Sequence, residues 1–321
     1  MLLIIFLAAL WAPTHGPTSR DEMPFEDTPA KPDQLPYMFE GDILLSEEQL
    51  QTIIRNTEDQ LWIKGENPRV RRSLTSYLAS RWSTLPIPYY INTQSGVSEA
   101  AVLAGIARWE ADTCIKFTRQ YSLPSRNGIE FFLGSGCYSM IGRVGSRSQQ
   151  VSIGYGCTSL GTVTHEIGHA LGFYHEQARY DRDSYVQIVS QNIQNGYLSQ
   201  FTKQSRSAMQ DYGVGYDFGS VMHYDQFSFS QGSGQAIRAI DTNYQQTIGQ
   251  REAPSFMDVK RINLAYCNSE YTTIFISRPR STIPQYQSTL HRPPPLLEAR
   301  LLPLLAPQQA LQLRRQPLQE L

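Results

Sequence analysis

The feature that most constrains this chain is the stretch THEIGHALGFYHE at residues 164–176. His165 and His169 are four residues apart, so on a helix their imidazoles lie on one face, with Cβ atoms roughly 5–6 Å apart. Two imidazoles at that spacing can hold one small cation. Glu166 follows the first histidine and projects beside such a cation, where a general base is needed. The stretch therefore predicts a metal-binding helix with a catalytic carboxylate.

A third histidine completes the predicted metal site. On a continuing helix His175, six residues after His169, would point away from the metal. Gly172 lies between them, and glycine adopts the left-handed conformation that commonly ends a helix, so the chain can turn there and bring His175 back. Three neutral imidazoles with an open fourth position are typical of a catalytic zinc site, and we expect one Zn²⁺ per chain. The alternative is a helix with incidental polar residues. It does not explain why four of the six histidines fall between residues 165 and 223.

A second motif, SVMHY at residues 220–224, identifies the family that this chain resembles. A methionine turn after an extended zinc-binding motif is typical of the metzincins. This version of the turn, together with the HEQARYDRD continuation at residues 175–183, resembles the astacin family of zinc endopeptidases. The resemblance implies that Met222 forms an apolar floor under the three imidazoles. It also implies that Tyr224 is a further zinc ligand and stabilises the oxyanion during peptide hydrolysis.

The same resemblance assigns further roles. It implies that Glu166 takes a proton from a zinc-activated water and passes it to the departing amine. Glu176 resembles the glutamate that pairs, in mature astacins, with the freed terminal amine, which is here that of Ser73. The chain is then a zinc metalloendopeptidase whose substrates are proteins or peptides.

The N-terminal part of the chain has the features of a secreted precursor. Residues 1–16 carry an apolar run of about twelve residues, too short to cross a bilayer and suited to a signal peptide. Residues 17–72 are interpreted as a propeptide. Within it, FEGDI at residues 39–43 resembles the Phe-x-Gly-Asp element of astacin propeptides, which implies that Asp42 binds zinc in the latent form.

A basic cluster, RVRR at residues 69–72, ends the predicted propeptide. It matches the processing site of a furin-like or trypsin-like protease, which would cleave between Arg72 and Ser73. Counting back from Trp82 and the Ile-Pro-Tyr at residues 87–89, which resemble the start of mature astacins, places the first mature residue at Ser73 as well.

The four cysteines predict two disulfides in a secreted chain, with three pairings open. A cysteine-based zinc site does not fit, because the chain has no Cys-x-x-Cys pair. The astacin resemblance selects Cys114–Cys267 and Cys137–Cys157.

Residues 73–269 are interpreted as one astacin-like catalytic domain of the α+β class. The pattern predicts an N-terminal lobe of twisted mixed sheet and two helices, an irregular C-terminal lobe with a final helix, and substrate between the lobes. Helices are expected from Ser98, near Gly161 and near Ser255. Strands are expected at residues 89–91, 115–117, 129–132 and 150–153.

Residues 270–321 are rich in Pro, Gln, Leu and Arg and are interpreted as a mostly disordered tail, as in simple secreted astacins without added C-terminal modules. The balance of 28 basic and 29 acidic residues gives no support for nucleic-acid binding. No other segment is apolar enough to cross a membrane, so we expect a secreted, extracellular protein. We also expect it to be a monomer.

Two other hypotheses about the function agree less well with the residues present. A catalytically silent astacin-like binding protein would normally have a substituted Glu166 or a substituted zinc ligand, and all are present. A zinc enzyme in which a downstream glutamate is the third ligand is disfavoured by His175 and Met222. The natural substrate, its subsite preference and the biological role do not follow from the motifs.

Overall fold

The computed structural model describes residues 32–35, 38–47, 49–51, 53–54, 74–75, 80–145, 147–206 and 208–267. The predicted signal peptide, the Arg72–Ser73 cleavage site and the predicted tail at 270–321 lie outside the described residues. Most of the described residues belong to the predicted catalytic domain, and a shorter set belongs to the predicted propeptide.

A six-stranded mixed sheet forms the N-terminal half. Its strands, in chain order, are β1 (Ile43–Leu44), β3 (Ile87–Ile91), β4 (Phe117–Gln120), β5 (Ile129–Phe132), β6 (Cys137–Met140) and β7 (Gln149–Ile153), and β2 (Leu74–Thr75) lies elsewhere. The spatial order is β1-β6-β7-β5-β3-β4. Only the β6–β7 pair is antiparallel within this sheet. The segment predicted as a propeptide therefore contributes an edge strand to the sheet of the predicted catalytic domain.

Two helices pack on this sheet, as the sequence predicted. Helix α1 spans Glu99–Asp112 and is capped by Ser98, whose side chain accepts a hydrogen bond from the Ala101 amide. Helix α2 spans Leu160–Leu171 and is capped by Ser159. The two helices approach closely at Gly105, which has no side chain. A Cβ there would lie only 2.4 Å from the Val163 side chain of α2. Trp109 is fully buried at this contact and stacks on Phe173.

The C-terminal half contains little regular structure. It has β8 (Val186–Ile188), β9 (Met209–Gln210) and β10 (Ile237–Ala239), with β8 paired to β10 and β9 to β2. Its α-helix is α3, Phe256–Ile262, which starts with a full capping box between Ser255 and Asp258. Short 3₁₀ or π turns lie at Thr93–Ser95, Glu176–Ala178, Arg182–Ser184, Ser190–Asn192, Leu198–Phe201, Thr242–Tyr244 and Asn263–Cys267.

The predicted α+β, two-lobed architecture is thus confirmed, with local differences. The strand expected at 115–117 begins at Phe117, because pairing with β3 starts where Phe117 lies opposite Ile87, while the Ile115 amide donates to the Thr113 hydroxyl. Strand β6 was missed, since all four of its residues are buried and show no polar alternation. Asp258 completes a capping box although the box prefers Glu or Gln at that position.

Two disulfides connect the parts of the fold. Cys114 follows α1 and is bonded to Cys267 near the end of the described chain, and Cys137 of β6 is bonded to Cys157. This is the pairing that the resemblance implied. Among the described residues, no helix combines the length and the apolar character that crossing a bilayer requires.

Candidate metal centre and active site

The zinc-binding helix ends where the sequence predicted a turn. Gly172 has φ of +111° and its amide donates to the carbonyls of Gly168 and His169. A left-handed glycine at this point reverses the chain without steric cost. His175 consequently returns to the face of α2 that carries His165 and His169, with its ring centroid 5.2 and 4.8 Å from theirs.

All three imidazoles are buried and are held by oxygen acceptors at Nδ1. His165 Nδ1 lies 2.7 Å from the Val221 carbonyl, and His169 Nδ1 lies 2.8 Å from the Phe173 carbonyl. His175 Nδ1 lies 2.9 Å from Oε2 of Glu40. These partners accept hydrogen bonds, so each Nδ1 carries the proton and each Nε2 presents a lone pair. The three lone pairs converge on one point.

The carboxylate of Asp42, in the segment predicted as a propeptide, occupies the same point. Asp42 Oδ2 lies 3.1 Å from His165 Nε2 and 3.2 Å from His175 Nε2, and Oδ1 lies 3.4 Å from His169 Nε2. One ligand atom from each of the four residues lies within 4.8 Å of the others, and all four residues are buried. Three imidazole nitrogens and one carboxylate oxygen are the donor set of a four-coordinate zinc ion.

The spacing of the imidazole nitrogens indicates a bound cation. Nε2 of His165 and Nε2 of His169 are 3.1 Å apart, and two lone pairs that close repel each other unless a positive charge lies between them. Burial alone would lower the pKa of His175, but the Asp42 and Glu40 carboxylates outweigh it and raise that pKa to about 9. Without a metal, the negative charge at this point would therefore hold a second proton on His175, and a zinc ion would replace that proton. The close Nε2 atoms and the surrounding negative charge fit a zinc ion bound by His165, His169, His175 and Asp42.

The remaining charges favour neutral imidazole and carboxylate ligands. Burial and the nearby Arg251 guanidinium lower the pKa of His165 to about 3, which keeps this ring neutral and able to bind metal. Burial raises the pKa of Asp42, but the His175, His169 and His165 side chains together hold it well below its usual range. Asp42 is therefore ionised in this arrangement.

Glu166 is the one acid on the metal-binding helix. It is fully buried, and neither carboxylate oxygen has a hydrogen-bond partner among the described residues. Burial, and then the charge of Asp42, raise the pKa of Glu166 well above its usual range. A buried carboxyl group beside a metal site, with no hydrogen-bond partner among the described residues, is a candidate for proton transfer.

Met222 packs against the zinc-binding helix at Gly168. It is fully buried, and a Cβ at Gly168 would lie 2.6 Å from its sulfur, so glycine is required for the close approach. The Met222 carbonyl also accepts the Glu176 amide at 3.0 Å. The sulfur is thus packed against the helix between the two motifs.

Tyr224 lies beside the cluster formed by Asp42 and the three histidines. Its ring centroid is 4.5 Å from that of His175, and its hydroxyl donates a hydrogen bond to the Glu40 carbonyl. The hydroxyl is therefore bonded to the backbone of the segment predicted as a propeptide.

Glu176 has a partner that the sequence did not predict. Its carboxylate pairs with Arg261 of α3, while the proposed partner Ser73 lies outside the described residues. Sequence reasoning also missed Glu40, which is buried, has φ of +47°, and contacts both His175 and Gln204. Its place inside the FEGDI segment was the signal available for Glu40, whereas Gln204 and Arg261 stand in no motif.

Comparison with known proteins assigns the family. The family model "Astacin (Peptidase family M12A)" matches residues 74–267, which is more than half of the chain. The chain belongs to the astacin family. This astacin is 60% identical over 264 residues to zinc metalloproteinase nas-34 of Caenorhabditis elegans, covering 79% of this chain and 44% of that protein. It is 43% identical over 237 residues to zinc metalloproteinase nas-36 of the same organism, covering 73% of this chain and 37% of that protein.

A solved structure shares the fold. High choriolytic enzyme 1, a hatching enzyme zinc-protease from the medaka fish Oryzias latipes, aligns with a TM-score of 0.54 at 34% identity, covering 61% of this chain and 98% of that one. This astacin spans less than half the length of the two nematode relatives. The comparisons and the donor set together agree on one zinc ion as its cofactor.

Proposed function

We propose that this astacin is a secreted zinc metalloendopeptidase that is made as a latent zymogen. The observation that carries the proposal is the Asp42 carboxylate, which lies within 3.1–3.4 Å of Nε2 of all three histidines. A carboxylate at this point completes the zinc coordination and excludes water and substrate. Removal of the propeptide would reopen the fourth position that a catalytic zinc site needs.

The propeptide blocks the cleft with its backbone as well as with Asp42. Strand β1 pairs parallel with β6, which would be the edge strand of the sheet once the propeptide has left. Ile43 lies opposite Ser139, and the Ser139 amide donates to the Asp42 carbonyl at 3.0 Å. An edge strand with unpaired backbone groups is a natural binding place for an extended peptide. Propeptide and substrate would therefore compete for the same edge.

Activation requires a cut in the segment that joins propeptide and catalytic domain. The basic residues at 69–72 provide a site for a furin-like or trypsin-like protease, with Ser73 as the new first residue. In the proposal the enzyme leaves the cell through the signal at residues 1–16 and acts as a monomer on proteins or peptides outside it.

In the reaction, His165, His169 and His175 would hold a zinc ion, which when bound would act as a Lewis acid that polarises the peptide carbonyl and lowers the pKa of a water molecule. Glu166 accepts the proton of that water, because its carboxylate has no other partner, and then delivers it to the departing amine. The Tyr224 hydroxyl, released from the Glu40 carbonyl when the propeptide leaves, donates to the oxyanion.

A direct test uses the full chain before and after cleavage. We expect purified full chain to contain one zinc and to leave casein intact, and we expect trypsin- or furin-treated chain, repurified from the protease, to cleave casein. A zinc chelator should abolish that cleavage and added zinc should restore it. The Glu166→Gln chain, treated in the same way, controls for residual activating protease. A treated wild-type chain that binds zinc but cleaves neither casein nor a peptide library would contradict the proposal.

A further inference from the structure

The Met-turn, residues 220–223, is held on both sides by groups from residues 251–258. On one side the Asp258 carboxylate accepts the Ser220 hydroxyl at 2.6 Å and the Val221 amide at 2.9 Å. On the other side Nη1 of Arg251 donates to the carbonyls of Val221 and His223, each at 3.0 Å. Both the amide and the carbonyl of Val221 are therefore fixed by charged side chains.

The Val221 carbonyl connects this arrangement to the metal centre. Besides Arg251, it accepts the Nδ1 proton of His165 at 2.7 Å. That hydrogen bond places the proton on Nδ1 and aims Nε2 at the metal point, and acceptors of this kind orient metal-binding histidines. A shift of the Val221 peptide would therefore rotate the His165 ring.

Each of the two charged residues is itself anchored. Asp258 is fully buried, accepts the Ser255 amide at 2.9 Å and occupies the third position of α3. The backbone of Arg251 packs against the start of α2, since a Cβ at Gly161 would lie 1.8 Å from the Arg251 carbonyl oxygen. Arg251 thus contacts the N-terminal end of the zinc-binding helix and the Met-turn together.

We propose that Arg251 and Asp258 are positioning residues of the zinc site, which fix Val221 and through its carbonyl orient His165. Neither side chain touches the metal point, so their effect is on the geometry of a ligand. The inference rests on the zinc centre of the proposed function and adds two residues to it that lie 86 and 93 positions beyond His165 in the sequence.

The experiment measures zinc binding by the uncut full chain, well below its unfolding temperature. The variants are Arg251→Lys, Arg251→Gln and Asp258→Asn. Zinc affinity is obtained by competition with a chromophoric chelator, and the ligand geometry is read from the visible spectrum of the Co²⁺-substituted chain. Loss of an outer hydrogen-bond partner typically costs 10–100-fold in metal affinity. We expect a loss in that range for Arg251→Gln and Asp258→Asn, with an altered Co²⁺ spectrum.

Arg251→Lys separates geometry from charge. Lysine keeps the positive charge but lacks the rigid fork that reaches two carbonyls. We therefore expect zinc affinity between those of wild type and Arg251→Gln. If Lys restores wild-type affinity and spectrum, charge alone acts and the positioning role of Arg251 is wrong.

Two control variants show the result expected of a substitution that does not act on the zinc site. Arg182, like Arg251, donates to two backbone carbonyls, those of Gln177 and Phe201, neither of which belongs to the Met-turn or accepts from a zinc-binding histidine. Arg182→Lys should lower the unfolding temperature and leave zinc affinity and the Co²⁺ spectrum unchanged. Asp33 of the propeptide lies 3.8 Å from Arg251, and Asp33→Asn should also leave both unchanged, which excludes an indirect effect through that contact.

The outcomes are distinct. Arg251→Gln and Asp258→Asn chains that unfold earlier but keep zinc affinity within about twofold and the wild-type spectrum would overturn this inference alone. Wild-type chain that binds no zinc would overturn the inference and the proposed function together.

Discussion

Arg261 and Glu176 form a bidentate ion pair in the buried interior of the C-terminal half. Nη1 and Nη2 of the arginine each lie 2.9 Å from one carboxylate oxygen of the glutamate, and both side chains are almost fully buried. The Asp217 amide donates to the same carboxylate at 2.8 Å. In the uncut chain, Glu176 is therefore already paired before any terminal amine can reach it.

This pair changes the expected effect of Glu176→Ala. The substitution leaves the Arg261 guanidinium buried without its carboxylate, which typically costs roughly 3–5 kcal/mol. We expect the uncut chain to lose unfolding free energy in that range in urea titrations, and the mature enzyme to lose at least as much. Glu99→Ala, which removes a solvent-exposed pair with Arg119, is the control and should have a much smaller effect. An uncut Glu176→Ala chain as stable as wild type would mean that the Glu176 carboxylate matters only after cleavage.

Glu166→Gln should separate metal binding from catalysis. The amide keeps the shape of the side chain but cannot accept a proton, and general base catalysis typically contributes 10²–10⁴-fold. We expect the activated variant to keep one zinc, measured by metal analysis, and to lose at least about 10²-fold in turnover of a peptide substrate. Comparable turnover in the zinc-loaded variant would show that another group takes the proton.

Tyr224→Phe tests the phenol as an oxyanion donor. Three imidazoles remain, so zinc content should be unchanged, while kcat falls and KM changes little, as for an interaction made mainly in the transition state. A single donor of this kind is worth roughly 3–4 kcal/mol. An unchanged kcat with a raised KM would instead make Tyr224 a substrate-binding residue.

Asp42→Ala examines latency in the uncut chain. Removing the carboxylate opens the fourth position at zinc, but β1 still pairs with β6 and Glu40 still contacts His175. We therefore expect partial peptidase activity without cleavage at Arg72, measured on a short peptide with the activating protease excluded. A fully silent variant would show that obstruction of the cleft is sufficient and that Asp42 is not the decisive block.

Asp258 should make stability depend on pH. Burial, and then the neighbouring Asp217, raise the pKa of Asp258 to about 6 from its usual 3.8, so the folded chain holds the proton more tightly than the unfolded chain does. The stabilising contribution of the protonated form is present below about pH 4 and is lost as the pH rises through about 6. Relative to Asp258→Asn, wild type should lose roughly 3 kcal/mol at most between pH 4 and pH 7. A constant difference between the two chains across this range would contradict the raised pKa.

The sequence by itself determined the features that depend on short spacings. His165 and His169 share a face because they are four residues apart on one helix, and Gly172 can end that helix because glycine tolerates a left-handed backbone. The starts of α1 and α3 followed from Ser98 and Ser255, whose side chains cap the helices locally. Such features need only neighbouring residues to form.

Only the tertiary structure decided which distant groups complete the site. Glu40 meets His175 across 135 positions, and Arg261 meets Glu176 across 85 positions, without a shared motif. Strand β6 could not be recognised from alternation, because it is buried on both faces between β1 and β7. A buried charge needs a partner, but any of several distant charges can supply it, and only packing of the elements selects one.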